Sequence, residues 1–167
     1  NVPDRDLSSA RMKVVRAAWA SKYYRKFERG AVLRIAEAVA KAGYDRAAYF
    51  AELAVEETGY GVVAHKTIKN QLCTHDLLGY YRDFDLVTPR VDPDRKIIEM
   101  PNPAGVVFAL APVTNPVATV YYKAMLAVLS RNAIVISPHP LAKACSAEAA
   151  RHLAQAAEAA GAPSGLI

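Results

Sequence analysis

The stretch Gly105-Val-Val-Phe-Ala-Leu-Ala-Pro-Val-Thr-Asn-Pro116 decides how the rest of the chain is read. Gly105 to Ala111 is apolar throughout and lies between Pro103 and Pro112. Such a run predicts a strand buried on both faces, at the centre of a parallel sheet covered by helices. Pro112 ends it, because proline has no N–H for the strand ladder. Thr114 or Asn115 can cap a following helix, and Pro116 suits its first turn, where no backbone donor is needed. That helix is predicted over 117–130, with Arg131 and Asn132 as stop signals. A second apolar run, Ala133 to Ile136, leads into Ser137-Pro-His-Pro140. Strand, helix, strand is the unit of a parallel α/β sheet, joined by a right-handed crossover.

Upstream, the pattern is helical. Asp6-Leu-Ser-Ser9 offers caps to a helix ending near Phe27, in which Met12, Val15, Trp19, Tyr23 and Phe27 form a stripe expected to face the core. A second helix is expected over 28–42, with Val32, Ile35 and Val39 inward and Gly43 ending it in the left-handed conformation. Asp45 is placed to cap a third helix through Tyr49, Leu53 and Val55, which Gly59 and Gly61 break. A fourth spans 62–84 and tolerates Gly79. Leu86 to Arg95 reads as a linker, with turns at Pro89, Asp92, Pro93 and Asp94. Strand-like Lys96-Ile-Ile-Glu-Met100 follows. Downstream, a final helix over 141–160 is stopped by Gly161 and Pro163, and Ser164 to Ile167 reads as the start of a further strand, so the sheet pattern is incomplete. The expected class is α/β: an N-terminal helical segment, 1–88, then part of a Rossmann-like parallel sheet with flanking helices, 96–167, together forming one structural domain.

With 167 residues, 53% of them hydrophobic, the chain is long and apolar enough for a sizeable core. No apolar run approaches the roughly 20 residues of a membrane span, and no stretch resembles a signal peptide, which points to a cytoplasmic protein without a membrane partner. The net charge of +5 is concentrated near the N-terminus, at Arg11, Lys13, Arg16, Lys22, Arg25, Lys26, Arg29 and Arg34. A solvated helix face accounts for it; an acidic partner or a phosphate is the functional alternative. No nucleic-acid-binding motif accompanies the charge. Cys73 and Cys145 have neither disulfide-framework nor metal-ligand spacing and are expected to be free thiols.

Pro112-Val-Thr-Asn-Pro116, Lys123, Arg131-Asn132-Ala133 and Ser137-Pro-His-Pro140, in that order, resemble the CoA-acylating aldehyde dehydrogenases. Glu57-Thr-Gly59 with Lys69-Asn70 resembles that family's N-terminal helical region, and Ala160-Gly-Ala-Pro163 its step into a further strand. The resemblance runs from about Ala51 to Ile167. It implies NAD or NADP as cofactor, coenzyme A as co-substrate, a small aldehyde as substrate, a homo-oligomer, and a cytoplasmic or bacterial-microcompartment setting. The lack of Gly-x-Gly-x-x-Gly does not oppose this, because the family binds NAD without it.

The resemblance also assigns residues. Nucleotide sites of such folds lie at the carboxyl ends of the strands. Those ends hold Pro112, Val113 and Thr114 after the first strand, and Ser137, Pro138 and His139 after the second. Asn115 is the expected oxyanion donor, with Thr114 as the alternative, since non-acylating relatives carry their asparagine one place earlier. Ser137 stands where those relatives have a ribose-binding lysine. Lys123 can reach a phosphate or lie in solvent. His65, His75 and His152 have no assigned role, and no metal site is expected. The family's nucleophilic cysteine lies beyond Ile167, and neither Cys73 nor Cys145 fits its motif. The chain therefore reads as an N-terminal portion, expected to be inactive by itself. The rivals are part of a non-acylating aldehyde dehydrogenase and a non-catalytic nucleotide-binding or assembly module.

Overall fold

The computed structural model describes residues 4–167. Helices α1 (Asp4–Tyr24), α2 (Arg29–Asp45), α3 (Ala47–Thr58) and α4 (Val63–Gln71) come first. A π-helical turn, Leu72–Asp76, joins α4 to α5 (Leu77–Tyr81). Strands β1 (Arg90–Asp92) and β2 (Ile97–Glu99) pair as an antiparallel hairpin. Then come β3 (Val106–Ala111), α6 (Pro116–Leu129), β4 (Ala133–Pro138), a 3-10 turn (Pro140–Ala142) and α7 (Lys143–Ala159). β3 and β4 are parallel, in register from Val106 opposite Ala133 to Ala111 opposite Pro138. This is the predicted strand–helix–strand unit.

One apolar cluster joins the two expected segments. Tyr24, Val32, Ile35, Val39 and Phe50 from the helical part pack with Val120, Tyr121, Met125, Val128 and Leu153 from the sheet part. The Tyr24 hydroxyl donates to the Val128 carbonyl at 3.0 Å, so this buried phenol is satisfied by the far side of the cluster. Arg131 and Asn132 do more than stop α6. Arg131 takes φ 58 and donates to the carbonyls of Arg25 (2.9 Å) and Pro101 (2.8 Å). The Asn132 Oδ1 accepts from the Gly105 N–H at 2.8 Å, which fixes where β3 begins.

Several expectations are corrected. The part of the stripe on α1 faces outward: Met12 is 60% exposed and Trp19 57%, with Val15 and Tyr23 also exposed, while Phe27, past the end of the helix, packs on the core as expected. The buried face is instead Ala17, Ala20, Ser21 and Tyr24. α1 packs against β3 and β4, and small residues allow that close approach, whereas the large stripe does not fit there. Asp6 to Ser9 lie within α1 and are not its caps. Gly43 does not end α2 but sits buried inside it, and Asp45 is the last residue of α2, paired with Lys41, while Arg46 stands at the start of α3. Gly59, expected only to break the chain after α3, is its left-handed C-cap at φ 70. The expected fourth helix contains the π turn and stops at Tyr81. The expected linker contributes β1 to the hairpin, with Asp92 Oδ1 accepting from the Arg95 N–H at 3.0 Å inside the turn.

At the carboxyl end, β4 extends two residues past Ile136, because Ser137 and Pro138 still face Leu110 and Ala111 in register. The last helix starts at Lys143, after the 3-10 turn. Residues 164–167 form turns and irregular chain, not a strand, though the Ile134 N–H donates to the Leu166 carbonyl at 2.8 Å. β3 is not covered on both faces: Phe108 is 65% and Leu110 63% exposed, because alternate side chains point away from the face on which Ala109 packs against Ala127 of α6.

Candidate functional site

The site is built where β3 gives way to α6. Pro112 breaks the ladder, and Pro116 sets the first turn of α6. The loop 112–116 therefore meets the positive end of the α6 macrodipole. Asn115 occupies the N-cap position at φ −137, yet its side chain makes no cap hydrogen bond. Its Oδ1 instead accepts from Lys69 Nζ at 3.1 Å. Thr114 turns its carbonyl to Lys66 Nζ, at 2.7 Å. Lys66 and Lys69 lie one turn apart on α4, so one helix face holds both residues of the loop.

Lys66 is a buried lysine. Burial first, and then the charge of Lys69, hold its ammonium below the ordinary lysine range. Its stem passes under Gly61 at φ 86, where an added Cβ would stand 2.9 Å from Lys66 Cε. The positive φ favours glycine there, and a side chain would also displace the end of Lys66. Beneath the loop, between Lys66, Asn70 and Pro116, remains a cleft of about 10 Å³, room for about one water. On its open side Asn115 borders a groove of about 310 Å³ lined by Lys69, Leu72, Cys73, Ala118, Thr119 and Tyr122. The π turn brings Leu72 and Cys73 to this groove.

Val113 is half-buried and packs on the core, while Pro112 and Thr114 are exposed. The second predicted group stands at the end of β4. Ser137 and Pro138 are its half-buried final residues, and the His139 N–H donates to the Ala111 carbonyl at 3.0 Å, tying the two strand ends together. His139 Nδ1 accepts from the Leu141 N–H at 3.2 Å and caps the 3-10 turn. A neutral ring accepting at Nδ1 carries its proton on Nε2, so that atom is a donor. Asn115 and His139 thus belong to adjacent strand ends, but each is held by a different helix system. Lys123 lies back on β3, its Nζ donating to the Leu110 carbonyl at 2.6 Å.

Neither thiol joins the site as a nucleophile. Cys145 is fully buried in α7; burial first, then the Glu57 carboxylate, push its thiol up to about 12. Cys73 is half-buried, and burial raises it also. A nucleophilic thiolate needs the opposite surroundings. Glu57 serves the framework, since its two oxygens accept from the N–H groups of Ala144 (2.8 Å) and Cys145 (2.7 Å) at the start of α7. Burial pushes the Glu57 carboxyl up, but the hydrogen bonds from Cys145, Ala144 and Lys143 outweigh it and leave the group below its ordinary value. Reasoning from sequence missed Lys66; its one signal was the three-residue spacing to Lys69. No cluster of metal-ligating side chains occurs among the described residues.

The model of the aldehyde dehydrogenase family matches residues 1–167. The bifunctional aldehyde-alcohol dehydrogenase AdhE of Escherichia coli K12 is 36% identical over 155 residues, which is 92% of this chain and 17% of that protein. An acetylating aldehyde dehydrogenase from Geobacillus thermoglucosidasius superposes with a TM-score of 0.95 at 42% identity, covering 99% of this chain and 38% of the other. The propionaldehyde dehydrogenase of Rhodopseudomonas palustris, solved with bound propionyl-CoA, superposes with a TM-score of 0.78 at 27% identity, covering 93% and 34%. The chain thus spans between about a sixth and two fifths of the length of these proteins.

Proposed function

The chain belongs to the aldehyde dehydrogenase family, and from that premise we propose that it is the N-terminal, nucleotide-side portion of a CoA-acylating aldehyde dehydrogenase. The overall reaction converts an aldehyde, CoA and NAD(P)⁺ to acyl-CoA and NAD(P)H. The acetylating relatives that match nearly the whole chain support this choice. So does Ser137-Pro-His-Pro140, which has no lysine where water-using relatives place one.

The observation that carries the reading is the Asn115 amide. Its oxygen is engaged by Lys69, so the Nδ2 hydrogens are the part of this groove-bordering amide that is free to donate. A thiohemiacetal forms when a cysteine thiolate, supplied by the complete protein, adds to the aldehyde carbonyl. Its oxyanion needs a fixed donor, and the Asn115 amide with the N-terminal end of α6 offers one. Leu72, Thr119 and Tyr122 give the aldehyde chain a short, mixed apolar wall. The donor set at the β4 end, the Ser137 hydroxyl and the His139 Nε2–H, suits ribose hydroxyls or phosphate oxygens. Bound NAD(P)⁺ supplies the hydride acceptor, and CoA the thiol that releases the acyl group. A small aldehyde, a homo-oligomer and either a cytoplasmic or a microcompartment setting belong to the same proposal.

The test is the full-length protein with short aldehydes, NAD(P)⁺, and CoA present or absent. Acyl-CoA is the expected product, and free acid formed equally well without CoA overturns the reading in favour of the non-acylating reaction. Asn115→Ala is expected to lower kcat by about 100- to 1000-fold with little change in KM. Thr114→Ala is expected to leave kcat nearly intact; a rate loss there in place of Asn115 moves the donor by one residue.

A further inference from the structure

The geometry points to Lys69 as the positioning residue of the loop at 112–116, acting through Asn115; this rests on the reading of Asn115 as oxyanion donor. An asparagine side chain is nearly symmetric in shape, and an amide beside an open groove can present either oxygen or nitrogen to it. Only the nitrogen end helps a developing oxyanion; the oxygen end repels it. Something must therefore choose between two states that differ by a half-turn of one bond.

Lys69 makes that choice by chemistry alone. An ammonium has three donors and no acceptor, so the Asn115 atom it meets at 3.1 Å must be Oδ1. Nδ2 is then the end of the amide left free to donate, on a side chain that borders the groove with Leu72, Cys73, Thr119 and Tyr122. The positive charge on the amide oxygen also polarises the amide, which strengthens its N–H groups as donors. A helix cap would have fixed the side chain differently, and Asn115 makes none.

Lys69 itself is exposed, but the helix that carries it and the loop it meets are both anchored. Asn70, beside Lys69, is buried and donates to the Ala47 carbonyl at 2.9 Å, which pins α4 to α3. Lys66, one turn earlier, grips the Thr114 carbonyl at 2.7 Å and so fixes the backbone that carries Asn115. A donor in an oxyanion site gains its effect from being aimed before the charge develops. Lys66 holds the backbone and Lys69 sets the side-chain torsion.

The experiment uses the full-length protein. Lys69→Met is expected to lower kcat by about 10- to 100-fold, the range for losing a hydrogen bond to a charged group, with KM for aldehyde, nucleotide and CoA each within about twofold. Lys69→Arg, which keeps donors and charge, is expected to recover most of the rate. Lys69→Met added to Asn115→Ala is expected to cost nothing further, since its target has gone. Losses that multiply in the double variant overturn the proposal. So does an unchanged kcat with a raised KM for CoA or nucleotide, which would make Lys69 a phosphate contact. Lys69→Leu, which also lacks a donor, replaces the methionine variant if that one loses its native melting midpoint. A crystal structure of the Lys69→Met protein gives an independent readout: the Asn115 amide is expected to turn from its present orientation, and an amide unmoved overturns the positioning role. If Asn115→Ala proves fully active, the reading of Asn115 as donor fails, whereas this structural readout still decides whether Lys69 orients the amide.

Discussion

Replacing Gly43 by alanine tests the packing behind the site. Gly43 lies where α2 meets the π turn, α6 and α7. An added Cβ would stand 2.6 Å from Thr74 Cγ2, 3.1 Å from Tyr121 Cε2 and 3.4 Å from Leu153 Cδ2. Ordinary carbon contacts are about 3.5–4.0 Å, so the Thr74 methyl must move by about an ångström. It has little freedom to do so: Thr74 is fully buried, and its hydroxyl donates to the carbonyls of Asn70 (2.9 Å) and Gln71 (3.0 Å). Tyr121 is equally buried. Overpacking of this kind costs about 1–3 kcal/mol, and a pinned β-branched partner argues for the upper end. Alanine returns about 1 kcal/mol of helix propensity. The net expectation is a loss of about 2 kcal/mol, or a thermal midpoint lower by about 4–8 °C for a chain of this size. Gly79→Ala is the control, because nothing lies within 4 Å of its added Cβ and the same propensity term should raise stability by about 1 kcal/mol. Thr74→Ser removes the clashing methyl and is expected to recover at least about 1 kcal/mol in the Gly43→Ala background. Thermal midpoints by far-ultraviolet circular dichroism measure all three. A Gly43→Ala protein as stable as the wild type, or one that Thr74→Ser does not relieve, refutes the argument.

The cap formed by Glu57 should be worth about 1 kcal/mol, read as the midpoint difference between wild type and Glu57→Gln. Its folded carboxyl lies below its ordinary value, so the stabilisation is present above the unfolded pKa of about 4.3 and is lost as pH falls through the folded value; a midpoint difference that grows on acidification contradicts the cap. Cys145, buried and with its thiol pushed up to about 12, should resist iodoacetamide in the native protein while half-buried Cys73 reacts first. Peptide mass mapping with and without denaturant checks this, and native labelling of Cys145 at the rate of Cys73 counts against it.

The strand–helix–strand centre was legible because its signals are local. Pro112 and Pro116 fix backbone angles wherever they stand, and Arg131 and Asn132 end α6 within a residue of the expected place. The facing of α1 was not legible, because periodicity reveals two stripes without saying which one meets the sheet. The bulky stripe was the natural choice; the tight approach to β3 and β4 selected alanine and serine instead. Gly43 misled for a similar reason. A glycine near a helix end resembles a stop, and only the crossing of three other elements shows that it is there for space. At the candidate site, Asn115 was visible as a residue type in a proline-bounded loop. Its orientation was not, because that depends on Lys69, a neighbour 46 residues earlier in the chain. Glu57 stands within a family-like motif, yet its partners at the start of α7 lie 87 and 88 residues away.

The outward stripe of α1 determines what the chain's intrinsic fluorescence can report. Trp19 is the single tryptophan. Its ring stacks on Tyr23 with centroids 6.4 Å apart, and the Lys22 ammonium sits 5.2 Å from its centroid. With 57% of its surface exposed, it senses water and a nearby cation. Its emission should be red-shifted in the native chain and change little as that interior melts, so a fluorescence melt would understate a core defect such as Gly43→Ala. The same indole becomes a selective reporter for anything that covers α1, since a blue shift would record the removal of water from that face alone.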